Sequence, residues 1–181
     1  MSTPSLERVL YIITCATPAA RDIGKLVSLA QQDGWTVCVI ATPLALRFID
    51  QAALEAQTGY PVRSDYKPPG TPDLLPPATA MIVGGASFNT INKWAAGITD
   101  TLALGLISEA IGLGLPLVAL PFLNAAQAAH PAFGRSVRGL REAGVAVLLG
   151  EGGYEPHPPH QGSKNLANYP WEKPLDALAR W

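Results

Sequence analysis

Hydroxyl and amide side chains follow each of the first four apolar runs of the sequence. The first run is followed by Thr17-Pro18 and the second run by Thr42-Pro43. The third run is followed by the segment Gly84 to Thr90, and the fourth run by the segment Pro121 to Asn124. Thr, Ser and Asn are preferred helix N-cap residues, and Pro favours the first helical position. A helix N-terminus with hydroxyls beside it offers an uncharged site for a phosphorylated cofactor. Ordinary N-caps have the same composition, so the spacing alone leaves both interpretations open.

The pattern of apolar residues indicates which elements position these side chains. Short apolar runs predict five strands, at Val9–Thr14, Trp35–Ala41, Ala78–Val83, Leu117–Leu120 and Val145–Leu148. Helical spacing between them predicts helices at Ala19–Asp33, Pro43–Gln57, Asn89–Ile111 with a break near Gly97, and Asn124–Ala143. This alternation is typical of βαβ units and predicts an α/β fold with a mostly parallel sheet. Ligands of such sheets bind beyond the carboxyl ends of the strands, where the four caps would meet.

Two segments lack a regular pattern. The proline-rich connection Tyr60–Pro77 is too long for an ordinary loop between a helix and a strand and is a candidate lid. We predict one domain over residues 1–150 and a tail over 151–181, rich in Gly, Pro and His, in which Pro174 starts a short helix. The tail covers a site, wraps a neighbour or is mobile. Mobility is the expectation, because termini are poorly ordered unless something holds them.

Composition restricts the class of protein. Charged residues make up 15% of the 181 residues, against a usual figure of about 25%, and 48% are hydrophobic. We therefore expect a homo-oligomer that buries part of its surface between subunits. The net charge is −1 and no basic run occurs, which argues against a nucleic-acid partner.

The same composition argues against a membrane partner and for the cytoplasm. The most apolar stretch, Ala110–Leu123, is shorter than the roughly 20 residues that a bilayer requires. Met1–Arg8 is polar and resembles no signal peptide, and Cys15 and Cys38 form no CxxC pair. A cytoplasmic location is therefore expected.

The segment around Ser87 has a second interpretation as a nucleophile elbow. In a hydrolase of that type His130 would be the base, with Asp100 or Glu109 as the acid. Asn89 stands where the last glycine of the elbow belongs, and a serine without that turn is more often a cap or a phosphate contact. The common GxxxxGK[ST] and GxGxxG nucleotide signatures are absent.

Two further groups of residues are candidates for reactive sites. His157 and His160 could hold a metal with Glu155, but no further ligands follow at a recognised spacing, which favours a solvated loop. A position at a helix start would lower the pKa of the Cys15 thiol. A small residue packed at a tight turn explains Cys15 equally well.

Two stretches of the sequence resemble a known family. Residues Ala86-Ser87-Phe88-Asn89-Thr90-Ile91-Asn92-Lys93, followed by Ala96-Gly97-Ile98-Thr99-Asp100, resemble the Pro-Ala-Ser-Ala-Asn-Thr stretch and trailing Gly-x-x-Asp of the homo-oligomeric flavin-containing cysteine decarboxylases. These include phosphopantothenoylcysteine decarboxylase and the peptidyl-cysteine decarboxylases of lanthipeptide biosynthesis. Pro121-Phe122-Leu123-Asn124 resembles the start of their Pro-x-Met-Asn-x-x-Met-Trp substrate motif. The resemblance extends over about Val9–Leu148.

The resemblance implies a flavodoxin-like or Rossmann-like doubly wound parallel sheet that binds FMN at subunit interfaces of a trimer or a dodecamer. It implies that Asn124 binds the carboxylate of a small-molecule or peptide substrate. The implied FMN-binding residues follow the first three strands or lie near the flavin ring, and they are Cys15, Ala16, Thr17, Thr42, Phe48, Ser87, Phe88, Asn89, Thr90 and Phe122.

Several positions depart from the family pattern. Thr71 stands where the family has its catalytic His, Gln127 and Ala128 replace the Met and Trp of the substrate motif, and no cysteine follows the fifth strand. Gly84-Gly85 replaces a residue–proline pair. Loss of a general acid or base typically costs about 10²–10⁴ in rate, so the catalytic residue is left unassigned.

Two hypotheses follow from the matches and the departures. In the first, the protein is a flavoprotein that carries out FMN-dependent oxidative decarboxylation of a small thiol or peptide carboxylate. In the second, it binds flavin without decarboxylase activity and acts in other flavin chemistry or as a partner subunit. A prenyltransferase is less favoured, because the sequence has no cluster of Arg and Lys for a prenyl phosphate.

Overall fold

Five parallel strands form one sheet in the order β2-β1-β3-β4-β5. The computed structural model describes residues 8–181. Its strands are β1 Val9–Thr14, β2 Thr36–Ala41, β3 Ala80–Ala86, β4 Leu117–Pro121 and β5 Ala146–Val147. The strand order reverses direction at the β1/β3 pair, which is the switch point of a flavodoxin-like sheet. The predicted single doubly wound parallel sheet is confirmed.

The strands are nearly continuous apolar runs because both faces of the sheet are covered. Every residue of β1, β3 and β4 is buried. In register across the sheet lie Val39, Ile12, Ile82, Val118 and Ala146. Parallel sheets need this two-sided cover, since their crossover helices pack on both faces.

Within residues 8–181, seven α-helices surround the sheet. They are α1 Ile23–Gln32, α2 Gln51–Thr58, α3 Phe88–Ala95, α4 Leu102–Leu113, α5 Ala125–Ala128, α6 Pro131–Glu142 and α7 Lys173–Leu178. Short 3₁₀ turns at Pro18–Asp22 and Pro43–Arg47 precede α1 and α2, and a third lies at Gly162–Asn165. No helix described between residues 8 and 181 is long and apolar enough to cross a bilayer.

All four helices predicted before the tail are divided in the structure, the one over Ala19–Asp33 into the 3₁₀ turn Pro18–Asp22 and α1. The break near Gly97 is confirmed: this residue has φ 71°, and Thr101 then caps α4 by accepting a hydrogen bond from the N–H of Leu104. The helix predicted over Asn124–Ala143 ends after α5, because Pro131 has no N–H to continue it and starts α6 instead. The helix predicted from Pro43 is a 3₁₀ turn first, and Asp50 then caps α2.

The tail packs on the carboxyl ends of β3 and β4. The tail side chains Tyr154, Tyr169 and Trp171 are each about 5% exposed or less. The ring centroids of Tyr169 and Trp171 are 4.7 Å apart. The short helix predicted from Pro174 is confirmed as α7, which contacts β4. The expected mobility of the tail is wrong, because these aromatic side chains hold it to the sheet.

Candidate functional site

Two adjoining pockets open at the carboxyl ends of β1 and β3, at the switch point of the sheet. The large pocket has a volume of about 480 Å³ and the small pocket about 250 Å³. Both are lined by Ala16, Ser87, Phe88 and Gln127, so the two pockets share a wall. Ligand pockets typically measure about 300–1,000 Å³, and the large pocket lies in that range.

A network of three neutral side chains lies at the start of α3. Ser87 caps the helix by accepting a hydrogen bond from the N–H of Thr90 at 3.1 Å. The hydroxyl oxygen of Thr90 accepts from Ser87 Oγ at 3.0 Å and from Cys15 Sγ at 3.3 Å. The O–H of Thr90 therefore remains to be donated, beside the unpaired N–H groups of the helix start. This donor set suits an anion without presenting a charge.

Cys15 is fully buried beneath this network. Burial raises the pKa of its thiol above the ordinary value of 9.0, so the group stays protonated and donates to Thr90. The low pKa considered for a thiol at a helix start is therefore wrong, because burial disfavours the thiolate. Cys15 supports Thr90 from below instead of reacting.

The turns after β1 and β3 contact each other at Thr17 and Gly85. The hydroxyl of Thr17 donates to the carbonyl oxygen of Gly85 at 3.2 Å. Gly85 has φ 66°, and a Cβ there would lie 2.9 Å from Thr17 Oγ1 and 3.2 Å from Ala19 Cβ. Only glycine fits this close approach, which brings the two turns to one edge of the pockets.

The large pocket contains one cationic side chain, Lys93, among its described lining residues. Asn89 and Lys93 are four positions apart in α3 and therefore share one helix face. Lys93 Nζ lies 2.5 Å from Asp100 Oδ2. The large pocket thus combines a hydroxyl network with one ammonium group.

The small pocket is bounded by the start of α5 and by the tail. Asn124 Oδ1 accepts from the N–H of Gln127 at 2.9 Å, and Gln127 Oε1 accepts from the N–H of Asn124 at 3.3 Å. This capping box orients the Asn124 amide so that Nδ2 is the group left for a ligand. Phe122 and His157 complete the wall, with ring centroids 5.1 Å apart.

Most of the predicted site residues meet in these pockets. Ala16, Thr42, Ser87, Phe88, Asn89 and Thr90 line the large pocket. Thr17, Phe122 and Asn124 line the small pocket. Phe48 lines neither, and its place near a flavin ring stays a prediction. Thr71 is exposed, donates to the carbonyl of Pro68 at 2.7 Å and also lines neither pocket.

The hydrolase arrangement around Ser87 is not assembled. Ser87 Oγ is bonded to Thr90, and His130 Nδ1 accepts from the N–H of Ala132 as the cap of α6. Asp100 pairs with Lys93, and Glu109 lies in α4. Ser87 and His130 are occupied as caps and Asp100 in an ion pair, so the triad interpretation is wrong.

The metal interpretation of the tail histidines also fails. His157 is buried against Phe122 and Tyr154, whereas His160 and Glu155 are exposed. No group of three or more metal-ligating side chains occurs within residues 8–181. The expected solvated loop is only partly right, because His157 is buried.

Comparison with known proteins identifies the family. A profile described as Flavoprotein matches residues 2–165. The chain belongs to the Flavoprotein family. A curated relative, the coenzyme A biosynthesis bifunctional protein CoaBC of Mycobacterium tuberculosis, is 33% identical over 116 residues, which are 62% of this chain and 27% of the relative. The chain thus spans about a quarter of the length of the curated relatives it matches.

Solved structures of cysteine decarboxylases share the fold. The peptidyl-cysteine decarboxylase EpiD superposes with a TM-score of 0.74 at 21% identity, over 96% of this chain and 99% of that chain. TvaF, an FMN-dependent cysteine decarboxylase from thioviridamide biosynthesis, superposes with a TM-score of 0.71 at 20% identity over the same shares. The predicted flavoprotein family is confirmed by the profile, and the predicted likeness to the cysteine decarboxylases is confirmed for the fold.

The residues present in this flavoprotein fit FMN. Thr90 retains an undonated hydroxyl at a helix N-terminus, and the contact between Thr17 and Gly85 holds the turn after β1 beside the end of β3. Membership of the family supports FMN as the cofactor.

Sequence reasoning missed three side chains of the site. Lys93 could have been found, since it follows Asn89 by one helical turn. Gln127 was recognised only as a departure from the substrate motif, although a Gln three residues after Asn124 is the signal of a capping box. His157 was singled out only as a candidate metal ligand, and no local pattern placed it at this site, because tail packing alone brings it to the pocket.

Proposed function

We propose that this flavoprotein binds FMN in the large pocket and catalyses oxidative decarboxylation of a small thiol or peptide carboxylate bound in the small pocket. The observation that carries the proposal is the wall that the two pockets share at Ala16, Ser87, Phe88 and Gln127. It places the Thr90 hydroxyl network of the large pocket beside the Asn124 amide of the small pocket. The activities named for EpiD and TvaF support the same reaction class and do not favour a flavin-binding protein without decarboxylase activity.

The phosphate would be held at the start of α3. Ser87 and Thr90 supply hydroxyls, and the backbone N–H groups of the first turn supply further donors. Lys93 supplies the positive charge of the large pocket, and Thr42 and Ala16 line it from the turns after β2 and β1. Neutral donors with one cation match a phosphate monoester.

The substrate would lie in the small pocket. Asn124 Nδ2 is free to donate to a carboxylate, because the capping box occupies Oδ1. Phe122, which is buried, supplies an apolar wall. When bound, FMN supplies the two-electron oxidation that this reaction class requires.

The proposal includes a homo-oligomer, in the form of a trimer or a dodecamer. Tyr66, Leu74 and Leu113 are each more than half exposed and flank a separate hollow of about 450 Å³ between the Tyr60–Pro77 connection and α4. An apolar surface of this kind is typical of an interface between subunits. Sedimentation equilibrium of the purified protein measures the assembly directly. The cytoplasmic location stays a prediction.

The first experiment is the absorption spectrum of the purified protein, with mass identification of the molecule that heat releases. We expect flavin bands and release of FMN. The second is incubation of the FMN-loaded protein with peptides ending in cysteine and with small cysteine conjugates, with CO₂ measured. Protein that is colourless and fails to bind added FMN overturns the cofactor assignment, whereas FMN binding without CO₂ release overturns the reaction alone.

A further inference from the structure

His157 is a buried titratable side chain that the proposed function leaves unused. It is 8% exposed and belongs to the tail, 33 residues beyond Asn124, with which it forms a parallel bridge. The carbonyl of His157 accepts a hydrogen bond from the N–H of Ala125 at 2.8 Å. This pairing fixes the His157 ring in the wall of the small pocket, beside the residue assigned to the substrate carboxylate.

The hydrogen bonds of Tyr154 decide which nitrogen of His157 carries the proton. The phenol oxygen lies 2.5 Å from Nδ1 and 3.2 Å from the carbonyl oxygen of Leu123. Burial raises the pKa of Tyr154 to about 12, so the phenol keeps its one proton. Within residues 8–181 no other donor reaches the buried Leu123 carbonyl, and a buried carbonyl requires a donor. On this ground we assign the phenol proton to the Leu123 carbonyl, which places the imidazole proton on Nδ1, donating to the phenol oxygen.

The second ring nitrogen is left with a lone pair. In a neutral imidazole with its proton on Nδ1, Nε2 is an acceptor. Nε2 has no hydrogen-bond partner in the part of the chain that the structure describes. It faces Gly162, where a Cβ would lie 3.2 Å away, and both residues line the small pocket. The missing side chain at 162 keeps Nε2 at the pocket wall.

The surroundings of the ring keep it neutral. The groups packed against it are Tyr154 of the tail, Phe122 from the end of β4 and Gly162. No charged side chain is among the described residues that line the small pocket. Burial alone lowers the pKa of His157 below its ordinary value of 6.5. At neutral pH the lone pair is therefore free to accept a proton.

We propose that Nε2 of His157 is the proton acceptor for the thiol of a substrate whose carboxylate is bound by Asn124. This inference rests on the proposed function. In the step the S–H bond breaks and an Nε2–H bond forms, leaving a thiolate and an imidazolium, and the imidazolium later returns its proton to water. Tyr154 is a positioning residue, because it fixes the ring through the chain of hydrogen bonds to Leu123. The tail thereby supplies a base that position 71, a threonine, cannot supply.

Imidazole nitrogen NMR of the purified protein tests the tautomer without any turnover. The chain has three histidines, so the spectrum of His157→Gln assigns the resonances. We expect His157 to carry its proton on Nδ1, and the Nε2 resonance to move when N-acetylcysteine is added. N-acetylserine, which has the same carboxylate and lacks the thiol, should move it much less. A proton on Nε2, or equal responses to both compounds, overturns the inference.

Kinetics with matched variants test the role in turnover. In His157→Gln we expect kcat/KM for a thiol carboxylate to fall about 10²–10⁴-fold and the acid limb of its pH profile to disappear, with the flavin content unchanged. Tyr154→Phe should displace the acid limb, since the ring loses its acceptor at Nδ1. The exposed His160 provides the control, and His160→Gln should keep the wild-type profile.

The outcomes separate this inference from the proposed function. If the wild-type protein lacks flavin but His157 shows the expected tautomer and thiol response, the proposed flavin-dependent function is overturned. The assignment of Nε2 of His157 as a proton acceptor for a thiol is then retained. If the wild-type protein releases CO₂ and His157→Gln does so with the same kcat/KM and pH profile, the function stands and the inference fails.

Discussion

The backbone N–H of Gly85 donates a hydrogen bond to the phenol oxygen of Tyr169 at 3.2 Å. The same phenol lies 2.8 Å from the carbonyl oxygen of Leu120 and 3.0 Å from that of Pro121. One hydroxyl of the tail therefore ties together the carboxyl ends of β3 and β4. Burial raises the pKa of Tyr169 well above 10, so the phenol stays protonated and keeps its donor.

This contact gives a physical reason for the Gly84-Gly85 pair. A proline at 85 would have no N–H to donate to Tyr169. A Cβ at 84 would lie 2.8 Å from Ile23 Cδ1 and 3.5 Å from Trp171 Cζ3, so a side chain there would meet both α1 and the tail. The two glycines accommodate a tail that covers the sheet edge.

Removal of the Tyr169 hydroxyl should destabilise the protein. Tyr169→Phe leaves the buried Gly85 N–H without its acceptor, and an unsatisfied buried group costs about 1–3 kcal/mol. Urea denaturation measures the change in the free energy of unfolding. Tyr66→Phe is the control, because Tyr66 is 59% exposed, and it should change stability by much less. Equal stability of Tyr169→Phe and the wild type would contradict this assignment.

The close approach at Gly85 should be needed for flavin binding. Gly85→Ala strains a residue with φ 66° and places its Cβ 2.9 Å from Thr17 Oγ1. Gly97→Ala provides a matched control, since Gly97 has φ 71° but no atom within 4 Å of its Cβ position. Both variants should lose stability from the backbone conformation. Only Gly85→Ala should also lose flavin. The absorbance ratio of flavin to protein measures this loss. Flavin loss in both variants would argue against a local effect of Gly85.

The cap of α3 should act on both stability and cofactor binding. Ser87→Ala removes the acceptor for the Thr90 N–H and should cost about 0.5–2 kcal/mol. Asp50→Ala removes the corresponding cap of α2, where Asp50 accepts from the N–H of Ala53 at 3.0 Å outside both pockets. The two variants should have similar thermal stability losses, but FMN affinity should fall only in Ser87→Ala. Equal FMN affinity in both would remove Ser87 from the phosphate site.

Lys93 should distinguish FMN from riboflavin. As the ammonium group of the large pocket, it would be attracted to the phosphate that riboflavin lacks. Lys93→Gln should therefore weaken FMN binding about 10-fold, corresponding to about 1.4 kcal/mol, and leave riboflavin binding unchanged. Lys25→Gln is the control, because Lys25 pairs with Asp22 at the start of α1, and it should change the affinity for neither FMN nor riboflavin. Titration by flavin fluorescence measures both constants, and a parallel loss of both ligands would count against a phosphate contact.

The burial of His157 should make stability depend on pH. Its pKa is lowered by burial in the folded protein and is about 6.5 when unfolded, so the unfolded state binds more protons between the two values. The contribution of neutral His157 to the free energy of unfolding is complete above pH 6.5. This contribution is lost as the pH falls through the lowered pKa of the folded protein. The free energy of unfolding should therefore rise with pH in that window, and His157→Gln should remove this part of the slope. Denaturation at several pH values measures it, with His160→Gln expected to keep the slope.

Local sequence patterns determined the sheet and one half of the site. β1 was predicted at its observed bounds, and the Ser87 cap lies where hydroxyls follow an apolar run. These features follow from sequence because burial and capping act over one strand or one helical turn. The carboxyl ends of parallel strands then meet at one edge, which brought Ala16, Thr42 and Ser87 together.

Only the tertiary structure decided what the tail does. Gly85 and Tyr169 are 84 positions apart, and Tyr154 bonds to Leu123 over 31 positions. No periodicity encodes such pairs, because they depend on aromatic side chains packing on a sheet edge that exists only after the strands assemble. The Gly, Pro and His content of the tail predicted irregular structure, and this was largely correct. The position of His157 beside Asn124 follows from packing alone, since an irregular segment takes its conformation from the surface that it covers.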